Sequence, residues 1–166
     1  VDYLFAEVEN GKWLVDSFIE LILNSDTIPS QAQENDKSLY FPRLFTEKNG
    51  IINWDWEIEY IERFIRAFSS PYPGAYSYYR EKTIRFLDVA IDTSMDNIFH
   101  PYGNGKVVTL MSDGSIRVIA GGRALIVKTV AVDGEEETPA KVLGVKHSLI
   151  SPHEELLKAR AYVPNT

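Results

Sequence analysis

The stretch from Asn53 to Tyr79 constrains the fold more than any other part of the chain. Aromatic and aliphatic residues recur at Trp56, Tyr60, Ile61, Phe64, Ile65 and Phe68, a helical spacing that produces one broad apolar stripe. Ser69-Ser70-Pro71 ends that pattern, and two-residue alternation begins near Ala75, so a helix, a rigid turn and a strand follow one another directly. Asn53 stands where an N-cap belongs. Asp55 and Glu57 place negative charge at the positive end of the helix dipole. A helix with such a stripe must lie against something apolar.

Beyond Pro71 the pattern is one of short strands, expected at about Ala75 to Tyr79, Thr83 to Ile91, Lys106 to Leu110, Ile116 to Ala120 and Ala124 to Val132. Ser112-Asp113-Gly114 and Gly121-Gly122 are hairpin turns, Arg80-Glu81 is a tight polar reversal, and Ser94 to Asn104 is a longer loop holding His100-Pro101. Five strands suggest a partly open barrel of the oligonucleotide/oligosaccharide-binding (OB) type, because curling a sheet on itself removes exposed edges. Asp133 to Lys141 reads as an acidic surface loop. Ser151-Pro152-His153-Glu154 reads as a capping box that opens a final helix ending near Tyr162.

Upstream, Val1, Leu4, Phe5 and Val8 predict a short helix that Asn10-Gly11 ends, and Leu14, Phe18, Leu21 and Ile22 predict a second from Lys12 to Leu23. Asn24 to Lys37 is polar and without period, a connecting loop. Leu39 to Phe45 is apolar but carries Pro42, which favours an extended or edge segment. The fold class is therefore α+β: a helical stub and linker, then a helix, a five-stranded OB-like barrel and a C-terminal helix. The opening apolar face has nothing before it to cover it, so the chain is expected to be part of a longer one.

Several chemistries are disfavoured. There is no cysteine, which removes thiolate nucleophiles and zinc-thiolate sites and leaves a reducing cytoplasm as the expected compartment. No run is long and apolar enough for a membrane span, and Val1-Asp2-Tyr3-Leu4 lacks the flank of a signal peptide. His100, His147 and His153 are too far apart for a metal spacing, and His147 beside Ser148 is an adjacency that seldom gives a catalytic pair. Asp88 and Asp92, on one face of a strand by alternation, read as solvated exterior rather than paired acid and base, with Asp96 beyond them. Gly103 and Gly105, and Gly121 and Gly122, form no phosphate loop. Tyr76 and Tyr78 could stack bases on a barrel face, but Tyr79 points the other way and core packing is the favoured use. Net charge is -7, with no basic concentration of the kind nucleic acid requires.

Gly50-Ile51-Ile52-Asn53-Trp54, Ile65-Arg66-Ala67 and Pro71-Tyr72-Pro73-Gly74-Ala75, in this order and spacing, resemble the junction and C-terminal domain of the folate-dependent formyltransferases, the family of methionyl-tRNA formyltransferase and the amino-sugar N-formyltransferases. Gly103 to Val108 resembles the family's next strand opening, with Tyr102 where a proline is usual. Asp113 to Val118 resembles its next hairpin, and Glu155-Leu156-Leu157 through Tyr162-Val163-Pro164 its closing helix. The resemblance implies that residues 1–37 are the end of a Rossmann-like catalytic domain with its linker, and residues 38–166 the OB-like C-terminal domain. It implies 10-formyltetrahydrofolate as formyl donor, bound and used by an Asn, a His and an Asp upstream of anything here. No residue of this chain is thereby catalytic or cofactor-binding. The implied partners are the upstream domain, an acceptor and a possible second copy. Acidity favours an amino-sugar nucleotide over methionyl-tRNA as acceptor. The rival reading is a free-standing OB-like module for single-stranded nucleic acid or oligosaccharide.

Overall fold

The computed structural model describes residues 2–24, 30–32, 34, 36, 38, 39, 43–94, 99–145 and 147–162, with side chains from residue 7 onward. They form two compact units, residues 1–41 and 42–166. In the first, the two expected helices are one, α1 (Asp2–Asn24). Gly11 does not end it. A glycine inside a helix costs about 1 kcal/mol relative to alanine but keeps its N–H for the ladder, so the flanking helix formers carry the turn through. No helix among the described residues is long and apolar enough to cross a membrane. The expected edge segment falls partly on residues 40–42, outside the described residues, and 43–45 have no regular structure.

The second unit opens with a single helical turn, α2 (Thr46–Asn49), followed by α3 (Ile58–Phe68). Asn53 does not cap α3. Its Oδ1 accepts from the Asp55 N–H at 3.0 Å, closing a separate turn, and α3 begins four residues on from Trp54, with Glu57 at its N-cap and no side-chain cap bond. The expected stripe divides. Ile58, Ile61, Ile65 and Phe68 are buried, recurring every three or four residues and so facing one way, towards β1 (Ala75–Tyr79) and β2 (Lys82–Ile91). Tyr60 is 56% exposed and Trp56 38%. Trp56 and Tyr60 therefore face outward, whereas Phe68 joins the core.

The five expected strands form at or next to their expected bounds: β1 and β2, then β3 (Val107–Leu110), β4 (Ile116–Ala120) and β5 (Arg123–Val132). Two short strands join them, β6 (Glu135–Glu137) and β7 (Leu149–Ile150). The path through the sheet is β3-β4-β5-β2-β1-β7, with β6 on β5, and every pair is antiparallel. The sheet curls until its ends meet: Lys106 bridges Ser148, and the Leu149 N–H donates to Gly105 O at 2.8 Å. At Gly105 a Cβ would lie 2.5 Å from Leu149 O, and its φ is +79°, so only glycine allows this approach. The core inside the curl includes Trp54, Ile84, Phe86, Val107, Ile116, Leu125 and Val127.

Two expectations about the end of the chain are corrected. The acidic loop is partly a strand: Asp133 and Gly134 both have positive φ, 53° and 90°, the conformation of a two-residue hairpin turn, and it returns β6 along β5, after which α4 (Pro139–Val142) follows. Carboxylates suit that position because charge on an edge strand deters pairing with other chains. The final helix, α5 (His153–Ala161), starts after Pro152 without a side-chain cap. Ser151 is diverted from capping because its hydroxyl donates to Ile52 O, far along the chain. Beside it, Ser77 Oγ accepts from Trp54 Nε1 and donates to Ile150 O, both at 3.0 Å.

Candidate functional site

The titratable residues singled out by sequence do not converge. His100 stacks on Tyr102, centroids 5.0 Å apart, and its Nδ1 accepts from the Tyr102 N–H. His147 meets Tyr79 edge-on at 5.8 Å, and the Ser148 backbone bridges Lys106. His153 is exposed in the first turn of α5. Among the described residues no group of three or more His, Cys, Asp or Glu could hold a metal ion. Tyr76 and Tyr78 share a face, ring centroids 6.0 Å apart, but Tyr76 is buried beneath the Arg85 guanidinium. Burial, then the neighbouring Tyr78, pushes its phenol up from its ordinary pKa.

Asp88 and Asp92 do not share an environment. Asp88 is exposed and pairs with Lys128 at 3.6 Å. Asp92 is 3% exposed and pairs with Arg117 Nε at 2.5 Å. Register shifts on either side of Asp88 break the strand alternation from which a common face was expected. The Ser94 hydroxyl, donating to Asp92 at 2.5 Å, holds the carboxyl below its ordinary value, and Arg117 acts in the same direction. This is a pinned ion pair at the end of β2. Asp96 lies outside the described residues.

The arrangement that can bind something is a groove on the outer side of α3. Phe64 packs edge to face on Trp56 at 5.2 Å and against Phe68 at 4.8 Å. The Arg63 guanidinium lies 4.7 Å over the Tyr60 ring, within the range of a cation–π contact. Trp56, Glu57, Tyr60, Arg63 and Phe64 line a shallow hollow of about 700 Å³. Trp56 and Phe64 also line a second hollow of about 660 Å³, with Ile51 and Asn53 below and His153, Leu156, Leu157 and Arg160 of α5 opposite. Asn49 Nδ2 donates to Ala159 O at 2.8 Å and the Asn49 Oδ1 accepts from the Phe45 N–H, which holds α2 against α5. A Phe45–Tyr162 edge contact at 6.2 Å closes that end. Among the described residues the second hollow carries His153 and Arg160 and no carboxylate, in a chain of net charge -7.

A separate cleft of about 780 Å³ lies among the β1–β2 turn, the β5–β6 hairpin and α4. Arg80, Lys82 and Lys141 face Glu81, Asp133, Glu135 and Glu137 there, with Lys141 and Glu137 3.7 Å apart. The charges largely answer one another. The sequence reading missed the α3 groove, although its signal was present: Trp56, Tyr60 and Phe64 recur every four residues, offset from the aliphatic series.

Comparison with known proteins gives one consistent result. A family model described as "Formyl transferase, C-terminal domain" matches residues 45–146, from α2 through the sheet to α4. A methionyl-tRNA formyltransferase of Dehalococcoides mccartyi is 35% identical over 71 residues, 42% of this chain and 22% of that protein. The methionyl-tRNA formyltransferase of Syntrophus aciditrophicus is 29% identical over 116 residues, 69% of this chain and 35% of the relative. Among solved structures, a variant of HypX from Aquifex aeolicus superposes with a TM-score of 0.57 at 18% identity, covering 78% of this chain and 22% of that one. HypX in complex with tetrahydrofolic acid gives 0.55 at 18% identity, over 76% of this chain and 21% of that one. The chain thus spans between about a fifth and about a third of the length of these proteins.

Proposed function

The chain belongs to the formyl transferase C-terminal domain family, and on that premise we propose that it is the C-terminal part of a 10-formyltetrahydrofolate-dependent formyltransferase, serving acceptor binding or dimerisation while an upstream Rossmann-like domain performs the transfer. The observation that carries this reading is the family match across 45–146, which takes in α3 and the sheet from β1 to β6. On this reading residues 1–37 end the catalytic domain and its linker, residues 38–166 form an accessory domain of the OB-like class whose five longer strands are extended by β6 and β7, and the compartment is the cytoplasm.

The donor supplies a formyl group to an amine. On this reading the Asn, the His and the Asp that use it stand in the upstream domain. No step is therefore assigned to this chain. Purified alone and given 10-formyltetrahydrofolate with an amine acceptor, it should yield no formylated product by mass spectrometry, and joined to the upstream domain it should. Turnover by the isolated chain would overturn the reading.

For the acceptor, net charge -7 and the carboxylates of β6 favour an amino-sugar nucleotide, since a polyanion such as tRNA is repelled. The names of the relatives favour methionyl-tRNA as the second reading. Competing the two acceptors for the joined enzyme separates them. The free-standing module for single-stranded nucleic acid or oligosaccharide loses support because Tyr76, which would have to stack a base, is buried.

A further inference from the structure

We propose that the outer face of α3 is an interface between two copies of this chain, packed as an antiparallel helix pair with its two-fold axis at Tyr60. The inference rests on the reading that this chain serves acceptor binding or dimerisation, and it names the partner surface for the second of these. Trp56 and Tyr60 are exposed by 38% and 56%, on the side away from the buried Ile58, Ile61 and Ile65. The apolar surface runs on past Trp56 and Phe64 to Leu44 and Leu157, themselves exposed by 55% and 51%. With about half of roughly 200 Å² exposed on each such side chain, two copies would cover on the order of 1,000 Å² in total together with their rims. That area is the lower limit of a specific interface, so the pair is weak and forms reversibly.

The order of the charges selects a second copy as the occupant. Glu57 stands three residues before Tyr60 and Arg63 three residues after it, and both are exposed. Three residues turn a helix by about 300°, so the two lie about 60° to either side of Tyr60 and about 4.5 Å below and above it. A two-fold axis through Tyr60 reverses both displacements at once. It sets Glu57 of each copy level with Arg63 of the other, whereas a parallel pair would set like charges together. The Tyr60 N–H donates to Glu57 O at 2.9 Å, so Glu57 already follows the helical path. Arg63 is held in place: its Nε donates to Glu59 O at 3.2 Å and its guanidinium lies 4.7 Å over the Tyr60 ring, which leaves it little freedom to lose on pairing. The neighbouring charges are answered within the chain, Glu59 by Arg123 at 2.6 Å and Glu62 by Arg66 at 3.2 Å. A net charge of -7 on each copy opposes association, but at ~0.15 M salt a screening length of about 8 Å weakens that long-range repulsion more than it weakens pairs in contact.

The test is sedimentation equilibrium of the 166-residue chain from micromolar to millimolar concentration, over which the parent should pass from monomer to dimer. Glu57→Arg and Arg63→Glu each turn both symmetric contacts into like-charge pairs and should weaken association by about tenfold or more. Both positions are exposed, and far-ultraviolet circular dichroism checks that the fold is kept. Mixed in equal amounts, the two variants should restore the parent's dimer, as should the double variant alone. Lys82→Glu, in the separate cleft, should associate as the parent does. A chain that stays monomeric, a dimer indifferent to either single change, or a mixture that fails to pair would overturn the interface. Indifference would place association elsewhere, as on the exposed Leu14 and Phe18 of α1. The joined enzyme is assayed in parallel. Formyl transfer by an enzyme that does not pair through this face sinks the interface and spares the function, whereas charge-dependent pairing without formyl transfer does the reverse.

Discussion

Replacing Ser77 by alanine tests how the end of the chain is fastened to the sheet. Ser77 is fully buried in β1. Its hydroxyl accepts from Trp54 Nε1 and donates to Ile150 O, each at 3.0 Å. The two losses are unequal. Ile150 is half exposed, so water can replace the donor at little cost, whereas the Trp54 indole N–H lies in the core with no other acceptor among the described residues, and a stranded buried donor costs about 1–3 kcal/mol. Adding the net worth of a lost hydrogen bond, Ser77→Ala should destabilise the second unit by about 2–3 kcal/mol. With a urea dependence of about 2 kcal/mol per molar, the midpoint should fall by about 1–1.5 M. Trp54→Phe removes the donor yet keeps a ring against Phe86, whose centroid lies 5.5 Å from that of Trp54. The double variant should therefore lose less than the two single variants together, by about 1–2 kcal/mol. Near-ultraviolet circular dichroism through the urea transition reads all four proteins. A Ser77→Ala midpoint within experimental error of the parent, or strict additivity, would refute the argument.

Three further outcomes follow from the same contacts. Asp92→Asn should cost about 2–3 kcal/mol at neutral pH, below the 3–5 of a fully buried pair because Arg117 retains 22% exposure. The Asp92 pKa is lowered on folding, so the pair's contribution is complete above the ordinary value of 3.8 and is lost as pH falls through the lower folded value; acid titration of stability should be flatter in the variant, and an unchanged acid limb would count against the pair. Gly105→Ala forces a Cβ to 2.5 Å from Leu149 O at φ +79°, with an expected loss of about 2–4 kcal/mol and faster amide exchange at Leu149; exchange no faster than in the parent would mean that the closure is not there. Glu47→Ala removes a two-pronged contact to Arg85 at 2.8 and 3.0 Å, but Glu47 is exposed, so the change should stay under about 1 kcal/mol. A larger shift in thermal midpoint would show the pair to be coupled to β2.

Much of the fold was legible because its signals are local. The five long strands lie where alternation and turn residues put them, since Gly121-Gly122 and Asp113-Gly114 stop and reverse the chain by their own backbone preferences. The ordered motifs from Gly50 to Ala75 pointed to the family, and the match across 45–146 agrees. The short strand β6 was missed although Asp133-Gly134 is itself a hairpin turn, because the glutamates after it were read by charge alone.

What local rules could not supply was the competition between partners. Asn53 and Ser151 are good caps by composition, yet Asn53 closes its own turn and the Ser151 hydroxyl goes to Ile52 O, 99 residues away in sequence. Asp92 reads as exterior by alternation and becomes buried because a bulge turns its strand. The groove depends on α2 meeting α5 through Asn49 and Ala159, 110 residues apart, a pairing no window of sequence contains. The sequence by itself determined where the five longer strands and the body of helix α3 lie and which family they compose, because propensity, periodicity and turn chemistry act over a few residues. Only the tertiary structure decided which half of the Trp56–Phe68 stripe is core and which is the wall of a site: burial goes to whatever packs opposite, and that is settled by the folded sheet rather than by the helix.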